Sequence, residues 1–326
     1  MRRILITGKN GQIGWELQRT LATLGEVVAV GVNEMDLANP DSIRRVLRGL
    51  EPDVIVNAAA YTAVDKAESE PKLAMAINGV APGIIAEEAK RLNAGVVHYS
   101  TDYVFDGTKQ TPYTENDAPN PINVYGKTKL AGEQAVAAVD APHLILRTSW
   151  VYGARGKNFL KTILRLAKER DELKIVNDQF GAPTWCRMIA EATGQIIAQL
   201  YSPIARHPPL LVEVSGVYNL TCAGGTTWHG FAKAALEYLV LRAQRSEGLH
   251  RSLPNLVPIP SEEYPSPAKR PRNSRLDNAS VLDRFGIALP SWDAALSVCM
   301  DQFEWTLSSS AQFRGASALS AISEKR

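Results

Sequence analysis

The sequence has little cysteine and no long apolar run. Its three cysteines, Cys186, Cys222 and Cys299, are odd in number and widely spaced, which excludes a disulfide framework and a CxxC metal site. The apolar run at residues 4–6 is too short for a signal peptide, and no later window approaches a membrane span. We therefore expect a protein of the reducing cytoplasm that does not enter a membrane.

The sequence also has no excess of either charge. It has 36 Lys and Arg against 34 Asp and Glu, a formal net charge of +2, which argues against nucleic-acid binding and an anionic membrane surface. A small soluble molecule is the expected partner. With 326 residues, of which 45% are hydrophobic, the chain is long enough for one large core and a second, smaller lobe.

Short apolar runs alternate with stretches of helical period along the first half of the chain. The runs are RILIT, EVVAVGV, DVIVNAA, GVVHYST and HLILRTSW, and segments such as PDSIRRVLRGL lie between them. This alternation is typical of βαβ units, and runs that are apolar throughout suit strands covered on both faces. We predict an α/β fold, a Rossmann-type doubly wound parallel sheet with a smaller C-terminal substrate-binding lobe. The proline-rich segment 252–273 is expected to be an extended, ordered loop.

The first strand leads directly into the sequence GKNGQIG, with glycines spaced G-x-x-G-x-x-G before a helix. Such a turn lets the backbone approach a pyrophosphate at the helix N-terminus. The motif alone is weak, but its position at the first β-to-α junction favours a dinucleotide site. The predicted cofactor contacts are Gly8, Lys9, Asn10, Gly11, Gln12, Ile13 and Gly14. We expect residues 1–150, with later strand and helix contributions, to form an NAD(P)-binding Rossmann domain, 151–307 mainly a substrate-binding lobe, and 308–326 a disordered tail.

The ends of the second and third strands give further cofactor candidates. Gly31 stands where such folds often carry an acid that binds the adenosine ribose, although Glu34 or Asp36 could reach back. We expect Asp36 and Leu37 beside the adenine, and NADPH as the cofactor with NADH also accepted. Small residues after the third strand either leave room for the cofactor or pack closely against a helix. The candidates for lining the cofactor there are Ala59, Ala60, Tyr61 and Thr62.

The segment NVYGKTKLAGE carries the strongest chemical signal. Tyr125 and Lys129 are four residues apart and share a helix face, where an ammonium would favour the phenolate and lower the tyrosine pKa. An isolated Y-x-x-x-K is more often a solvated pair. Here Thr101 and Asp102 lie at the end of the fourth strand, on the same sheet edge as the glycine turn, which favours a site that protonates a carbonyl oxygen.

These motifs together resemble the extended short-chain dehydrogenase/reductases. More narrowly, the chain is similar to the branch that reduces the C4 ketone of a dTDP-linked sugar. The resemblance covers nearly the whole chain and rests on the segments GKNGQIGWELQ, DVIVNAAAYTAVDKAESEP, VVHYSTDYVFDGT, NVYGKTKLAGE, LRTSWVYG, NDQFGAPT, AGGTTWHGFA and RPRNSRLD.

The resemblance implies roles for individual residues. Tyr125 would donate the proton, Thr101 would orient the carbonyl, and Lys129 would assist, with Tyr125 and Lys129 also touching the cofactor. Asp102 and Trp150 would lie at the sugar, although the sequence alone favours a core aromatic at Trp150. The second lobe would hold the nucleotide through Gln179, Arg270, Arg272 and Arg275, with the arginines taken as a group because guanidinium groups suit a diphosphate.

The resemblance also allows a homodimer and a Mg²⁺ ion near Glu16, although a lone glutamate on a helix is usually solvated. No metal ligand set is predicted from the residues.

Two alternatives remain open from sequence. One is a reductase or epimerase for another nucleotide sugar; an epimerase would need a further acid/base pair, and no Cys or His lies between Tyr99 and Tyr125. His98, within a strand, is expected to be a core histidine. The other is a non-catalytic regulatory subunit on the same fold, like the β subunit of methionine adenosyltransferase.

Overall fold

The computed structural model describes residues 2–201, 211–244 and 253–303, so the predicted tail at 308–326 lies outside the described residues. The strands are β1 (Arg3–Thr7), β2 (Glu26–Val30), β3 (Val54–Asn57), β4 (Gly95–Thr101), β5 (His143–Thr148), β6 (Val151–Tyr152), β7 (Glu172–Val176), β8 (Phe180–Gly181), β9 (Thr184–Trp185), β10 (Gly216–Asn219), β11 (Thr226–Thr227) and β12 (Asn255–Ile259).

The helices alternate with these strands over the first half of the chain. They are α1 (Gln12–Thr20), α2 (Pro40–Leu50), α3 (Val64–Ala67), α4 (Pro71–Met75), α5 (Ala81–Leu92), α6 (Val124–Ala138), α7 (Phe159–Glu169), α8 (Cys186–Leu200), α9 (Trp228–Gln244), α10 (Ala279–Phe285) and α11 (Trp292–Met300). A π-helical turn, Ala76–Val80, joins α4 to α5.

Six parallel strands form the central sheet in the order β10-β5-β4-β3-β1-β2. All five strands predicted for the first half of the chain are present, so the predicted doubly wound parallel sheet is confirmed. The strand order reverses between β1 and β3, where Thr7 pairs with Asn57. Ligands in such sheets bind outside the carboxyl ends of the strands at this switch point, which is where the predicted site residues lie.

The two lobes are interwoven along the chain. β10 comes after residue 151 yet joins the central sheet beside β5, and α8 packs against α1. The α8 residues Ile189 and Ile196 are buried in the same core as Ile4 of β1, so this helix packs on the central sheet. The second lobe has its own core, in which Trp185 and Phe231 are fully buried.

The proline-rich segment contains a strand that the sequence analysis did not predict. β12 pairs in parallel with β7 in a two-stranded sheet. Pro258 is tolerated there because β12 is an edge strand. The N–H that proline lacks would face away from β7, where no further strand needs it. The segment also contains a short 3₁₀ helix, Ser261–Glu263, and is otherwise irregular over its described residues, as expected for its proline content.

Candidate active site

The glycine turn at the end of β1 is closed against the end of β3. Gly8 has a φ of 71°, which favours glycine, and a Cβ there would lie 2.9 Å from the backbone nitrogen of Ala59. A Cβ on Gly14 would overlap the carbonyl oxygen of Gly8. The Gly11 N–H donates to that same oxygen at 2.8 Å. Two of the three glycines are therefore needed for close backbone packing.

The start of α1 is suited to an anion. Asn39, Asn123 and Asn158 precede α2, α6 and α7, and each side chain accepts a backbone N–H of its helix. Gly11 precedes α1 and supplies no side-chain cap. The first N–H groups of a helix need an acceptor and carry positive partial charge, so the geometry here fits a dinucleotide pyrophosphate.

The other residues of the glycine turn have different surroundings. Gln12 reaches toward the second lobe, where its amide nitrogen donates to Val151 O at 3.2 Å and its oxygen accepts from Asn158. Ile13 packs against the cores of both lobes. These two residues therefore connect the turn to the lobe behind it, and their predicted cofactor contacts stay predictions.

The end of β2 carries an ion pair. The Gly31 N–H donates to Glu34 Oε2 at 2.8 Å, and Lys9 Nζ lies 2.6 Å from Glu34 Oε1. These contacts lower the pKa of Glu34, with the Lys9 hydrogen bond as the largest cause. Glu34, one of the two acids that the sequence offers for this place, therefore reaches back to Gly31 at the end of β2. The other, Asp36, instead accepts from Ala38 N in its own turn, and Leu37 packs into the core.

The loop after β3 is tied to α6 by Asn78. The Asn78 amide accepts from Tyr61 N at 2.8 Å and donates to Tyr61 O at 3.0 Å and to Thr128 Oγ1 at 3.2 Å. The Tyr61 hydroxyl donates to Glu70. Fixing this loop against α6 places Ala59, Ala60, Tyr61 and Thr62 between the glycine turn and the helix that carries Tyr125.

Thr101, Tyr125 and Lys129 come together at the ends of β4 and α6. The Asn123 side chain accepts from Gly126 N at 2.7 Å, which starts α6 just before Tyr125. The Thr101 hydroxyl donates to Asp102 Oδ1 at 3.0 Å and opposes the rise in the pKa of Tyr125 through a side-chain hydrogen bond. The predicted trio is therefore spatially adjacent, while its catalytic role stays a prediction.

Burial sets the proton affinity of Tyr125. It raises the pKa of the phenol to about 12, against the smaller effect of Thr101. The expected lowering of this pKa by Lys129 is wrong for this geometry, because the ammonium is directed elsewhere. A phenol with this pKa is protonated at neutral pH and therefore holds a proton that it can donate.

Lys129 belongs to a buried polar chain. Its Nζ donates to Tyr99 O at 2.6 Å and lies 3.4 Å from His98 Nε2. His98 Nδ1 is 3.0 Å from Asn57 Nδ2, and Asn57 Oδ1 accepts from the Thr7 hydroxyl at 2.7 Å. Burial lowers the pKa of Lys129 to about 8. His98 is a buried core histidine, as expected, but it also contacts the predicted lysine.

Trp150 is held in an unusual backbone conformation. Its φ is 46°, and its ring stacks on Trp228 with centroids 3.5 Å apart and planes at 2°. Gly181 allows this, because a Cβ there would overlap the indole of Trp150. The Trp228 Nε1 donates to Gln179 Oε1 at 3.1 Å. Strained residues cluster at functional sites, which supports the expectation that Trp150 does more than fill a core.

A large cleft in the second lobe brings the four predicted nucleotide residues together. Its volume is about 1990 Å³, and Gln179, Arg270, Arg272 and Arg275 all line it. Arg270 pairs with Asp65 at 2.8 Å, Arg272 pairs with Glu262 at 3.0 Å, and Arg275 donates to Asn273 and to Gln110 O. The sequence did not identify Asp65 as the residue that anchors Arg270.

Tyr103 connects the cleft to the proposed catalytic residues. Its ring lies edge-on to that of Tyr125, with centroids 5.8 Å apart. A side-chain hydrogen bond and the charge of Arg270 both act on Tyr103, although burial is the main reason that its pKa is raised. A ligand extending from the arginines to Tyr125 would therefore pass Tyr103, which the sequence analysis did not single out.

Glu16 does not fit a Mg²⁺ ion. Its carboxylate is buried and pairs with Arg187, at 3.1 Å from Nε, and with Arg19 at 3.5 Å. A divalent cation would have to displace both guanidinium groups. Over residues 2–201, 211–244 and 253–303, no group of three or more His, Cys, Asp or Glu side chains is arranged to hold a metal ion.

Several contributors to the site carried no clear sequence signal. Glu34 is one of two acids that could reach the end of β2, and the segment AGGTTWHGFA does not by itself indicate a role for Trp228. Helix N-caps can be read from sequence, since an Asn before a helical run is a known signal, and Asn123 belongs to that class. The pairings Asp65–Arg270 and His98–Lys129 join residues 205 and 31 positions apart and have no local pattern.

The chain matches a protein-family model over residues 1–305, the RmlD substrate binding domain. A relative in Burkholderia thailandensis, described as dTDP-4-dehydrorhamnose reductase, is 51% identical over 299 residues, covering 91% of this chain and 98% of the relative. The chain therefore belongs to the RmlD substrate binding domain family.

Solved structures agree with the fold and the family. The dTDP-4-dehydrorhamnose reductase of Bacillus anthracis, crystallised in complex with NADP, has a TM-score of 0.82 at 33% identity and covers 93% of this chain and 100% of its own. The UDP-glucose 4-epimerase of Thermus thermophilus, complexed with NAD, has a TM-score of 0.73 at 18% identity, covering 92% and 98%. The second likeness supports the Rossmann-type fold alone. Within the described part of the chain, no helix is long and apolar enough to cross a membrane.

Proposed function

We propose that this protein is an NAD(P)H-dependent reductase that converts the C4 ketone of dTDP-4-dehydro-β-L-rhamnose to the alcohol of dTDP-L-rhamnose. The observation that carries the proposal is the adjacency of Thr101 to a half-buried Tyr125 with a raised pKa, at the sheet edge that also has a glycine turn fitting a pyrophosphate. The relatives described as dTDP-4-dehydrorhamnose reductase support the choice of substrate. The three buried free cysteines suit the reducing cytoplasm, which we propose as its location.

In this proposal the chain supplies a proton and fixed polar contacts. Tyr125 donates its proton to the oxygen that becomes the alcohol, and the Thr101 hydroxyl orients that oxygen. Lys129 is buried, and its ammonium donates to Tyr99 O rather than to the phenol, so its proposed role is to contact the cofactor and to add positive charge to the site. When bound, the nicotinamide cofactor would supply the hydride, and the backbone N–H groups at the start of α1 would hold its pyrophosphate.

The cleft of the second lobe is proposed to hold the dTDP group. Arg270 is better placed than Arg272, because its side chain is 21% exposed against 72% and is oriented by Asp65. Guanidinium groups bind a diphosphate through paired N–H donors. Asp102 and Trp150 are proposed to contact the sugar between the cleft and Tyr125. We also propose that residues 1–150, with α8 and β10, bind the cofactor, and that 151–307 mainly bind substrate.

The test is NADPH oxidation, followed at 340 nm, when the purified protein meets dTDP-4-dehydro-β-L-rhamnose. We expect turnover with either NADPH or NADH, with a product that co-elutes with dTDP-L-rhamnose, and no loss of rate with EDTA. The matched control substrate is a UDP-linked 4-keto sugar, which should react more slowly. A faster reaction of the UDP-linked sugar would instead indicate that the substrate is a different nucleotide sugar.

The regulatory-subunit alternative makes a different prediction. Such a subunit would bind the dinucleotide, show no turnover with the 4-keto sugar, and change the rate of a partner enzyme. The adjacency of Thr101 to Tyr125, with Lys129 buried on the same helix, favours an enzyme, because a purely regulatory fold does not need a proton donor at this edge. Cofactor binding without product formation would reverse the assignment.

A further inference from the structure

The end of β2 carries two side chains of opposite charge. In a Rossmann fold this place contacts the 2′ position of the adenosine ribose. Such folds commonly place an acid at the end of the second strand to bind the ribose hydroxyl, or an arginine nearby to accept a 2′-phosphate. This chain has glycine at the position itself, Gly31. The carboxylate of Glu34 and the ammonium of Lys9 lie over that glycine instead.

The position of the Glu34 carboxylate is fixed from two sides. Its Oε2 accepts from the Gly31 N–H at 2.8 Å, and its Oε1 accepts from Lys9 Nζ at 2.6 Å. A Cβ on residue 31 would lie 3.3 Å from Oε2 and 3.4 Å from Lys9 Cε. A larger side chain would therefore push against both charged groups. Glycine at this position lets Glu34 occupy the place of the missing acid.

Lys9 is held at the same place by its backbone. Its N–H donates to Val30 O at 3.1 Å, which joins the glycine turn to the last residue of β2. The Asn10 amide also lies near, 3.7 Å from the position of a Cβ on Gly31. The side chains of Lys9 and Glu34 are 31% and 47% exposed, so both groups are accessible to a ligand.

We propose that the Lys9–Glu34 pair decides between NADH and NADPH, with Glu34 accepting from a ribose 2′-hydroxyl and Lys9 binding a 2′-phosphate. This inference rests on the proposed function, which requires a nicotinamide cofactor at this edge. The two charges act in opposite directions on the 2′-phosphate, because Lys9 attracts it and Glu34 repels it. The intact pair therefore gives comparable affinity for both cofactors, and loss of either member gives a preference.

The test measures binding in the absence of any sugar. Dissociation constants for NADPH and NADH are determined by titration calorimetry for the wild type, Glu34→Gln, Lys9→Met and the double variant. We expect wild-type affinities within about tenfold of each other. Glu34→Gln should shift the ratio about tenfold toward NADPH and Lys9→Met about tenfold toward NADH, each equivalent to about 1.4 kcal/mol. The double variant should return close to the wild-type ratio.

Two further comparisons isolate the 2′-phosphate. The same variants should change the affinity for 2′,5′-ADP relative to 5′-AMP in the same directions, because these probes carry only the adenosine end. The shifts should shrink as NaCl is raised from about 0.05 to 1 M, since salt screens exposed charges. Glu26→Gln is the matched control: it removes an exposed carboxylate, paired with Arg3 at 3.2 Å, at the opposite end of β2.

The outcomes separate this inference from the proposed function. If the sugar is reduced but neither single variant moves the binding ratio more than twofold, the inference alone is overturned. Shifts of both variants in the same direction also overturn it. If the ratios move as expected but no sugar is reduced, the inference stands and the proposed reaction fails. Failure of both dinucleotides to bind overturns the inference together with the cofactor assignment.

Discussion

Around the ends of β4 and β5 of the central sheet the charged side chains Lys129, Glu133 and Arg147 are buried, whereas in the cleft of the second lobe the ion pair Arg272–Glu262 stays in contact with solvent. Lys129 is 2% exposed, and the side chains of the ion pair Glu133–Arg147 are 4–5% exposed. In the cleft, Arg272 is 72% exposed and pairs with an equally exposed Glu262. Removing one partner of a buried pair is costly, while exposed pairs contribute little. Single substitutions should therefore have large effects at the edge and small effects in the cleft.

The largest effect is expected for Glu133→Gln. Its carboxylate accepts from Arg147 Nε at 2.9 Å and Nη2 at 2.6 Å, so the substitution leaves a buried guanidinium without its counter-charge. The free energy of unfolding should fall by about 3–5 kcal/mol, measured by urea denaturation and circular dichroism. Glu169→Gln, which removes the partner of exposed Arg165, should cost less than about 0.5 kcal/mol. Equal losses in the two variants would contradict the comparison.

Tyr125→Phe should have the largest effect on turnover. Loss of the proposed proton donor should lower kcat by about 10²-fold or more, while the dissociation constant for NADPH changes little because the helix and glycine turn are untouched. Steady-state kinetics with the dTDP-linked substrate and a cofactor titration measure both. Tyr218→Phe is the control, since it removes a hydroxyl that donates to Val214 O outside the site. Near-normal kcat for Tyr125→Phe would exclude the proposed role.

Asp102 should make stability depend on pH. Burial raises the pKa of its carboxyl from 3.8 to about 7. Between these values the folded protein holds a proton that the unfolded chain has released, so the free energy of unfolding falls as pH rises and levels off above about 7.

Between pH 5 and 7 this group should account for about 2 kcal/mol of that fall. Urea denaturation of wild type and Asp102→Asn at both pH values measures it, because the variant should lose this part of the pH dependence. If the free energy of unfolding changes equally with pH in the two proteins, Asp102 is ionised in the folded state at both pH values.

The smallest effects are expected in the cleft. There, the rise in KM should be larger for a more buried side chain. Arg270→Met should raise KM for the nucleotide sugar about tenfold, because Arg270 is oriented by Asp65 and is 21% exposed. Arg272→Met should raise it about twofold or less, because the side chain is solvated. Saturation kinetics measure both, with kcat expected to change less than KM. A larger rise in KM for Arg272→Met than for Arg270→Met would mean that the ligand contacts the outer rim of the cleft.

The same contrast explains how far the sequence could predict the site. Strand runs, the glycine turn and the Y-x-x-x-K spacing are local patterns, and parallel pairing brings strand ends to one edge, so Gly8, Thr101 and Tyr125 could be placed together in advance. The direction of Lys129 could not, because it is set by Tyr99 O and His98 on a neighbouring strand. The cleft arginines were predicted only as a group, since their partners come from distant segments.

The sequence by itself determined the parallel sheet, the edge at which the site lies and the residue types available for proton transfer, because periodicity and turn glycines act over a few residues. The tertiary structure decided which of these groups are buried, and therefore that Tyr125 has a raised rather than lowered pKa. It also decided that Glu34 takes the place left by Gly31, with Lys9 beside it. Burial and charge pairing depend on the summed contacts of several elements, which no local pattern contains.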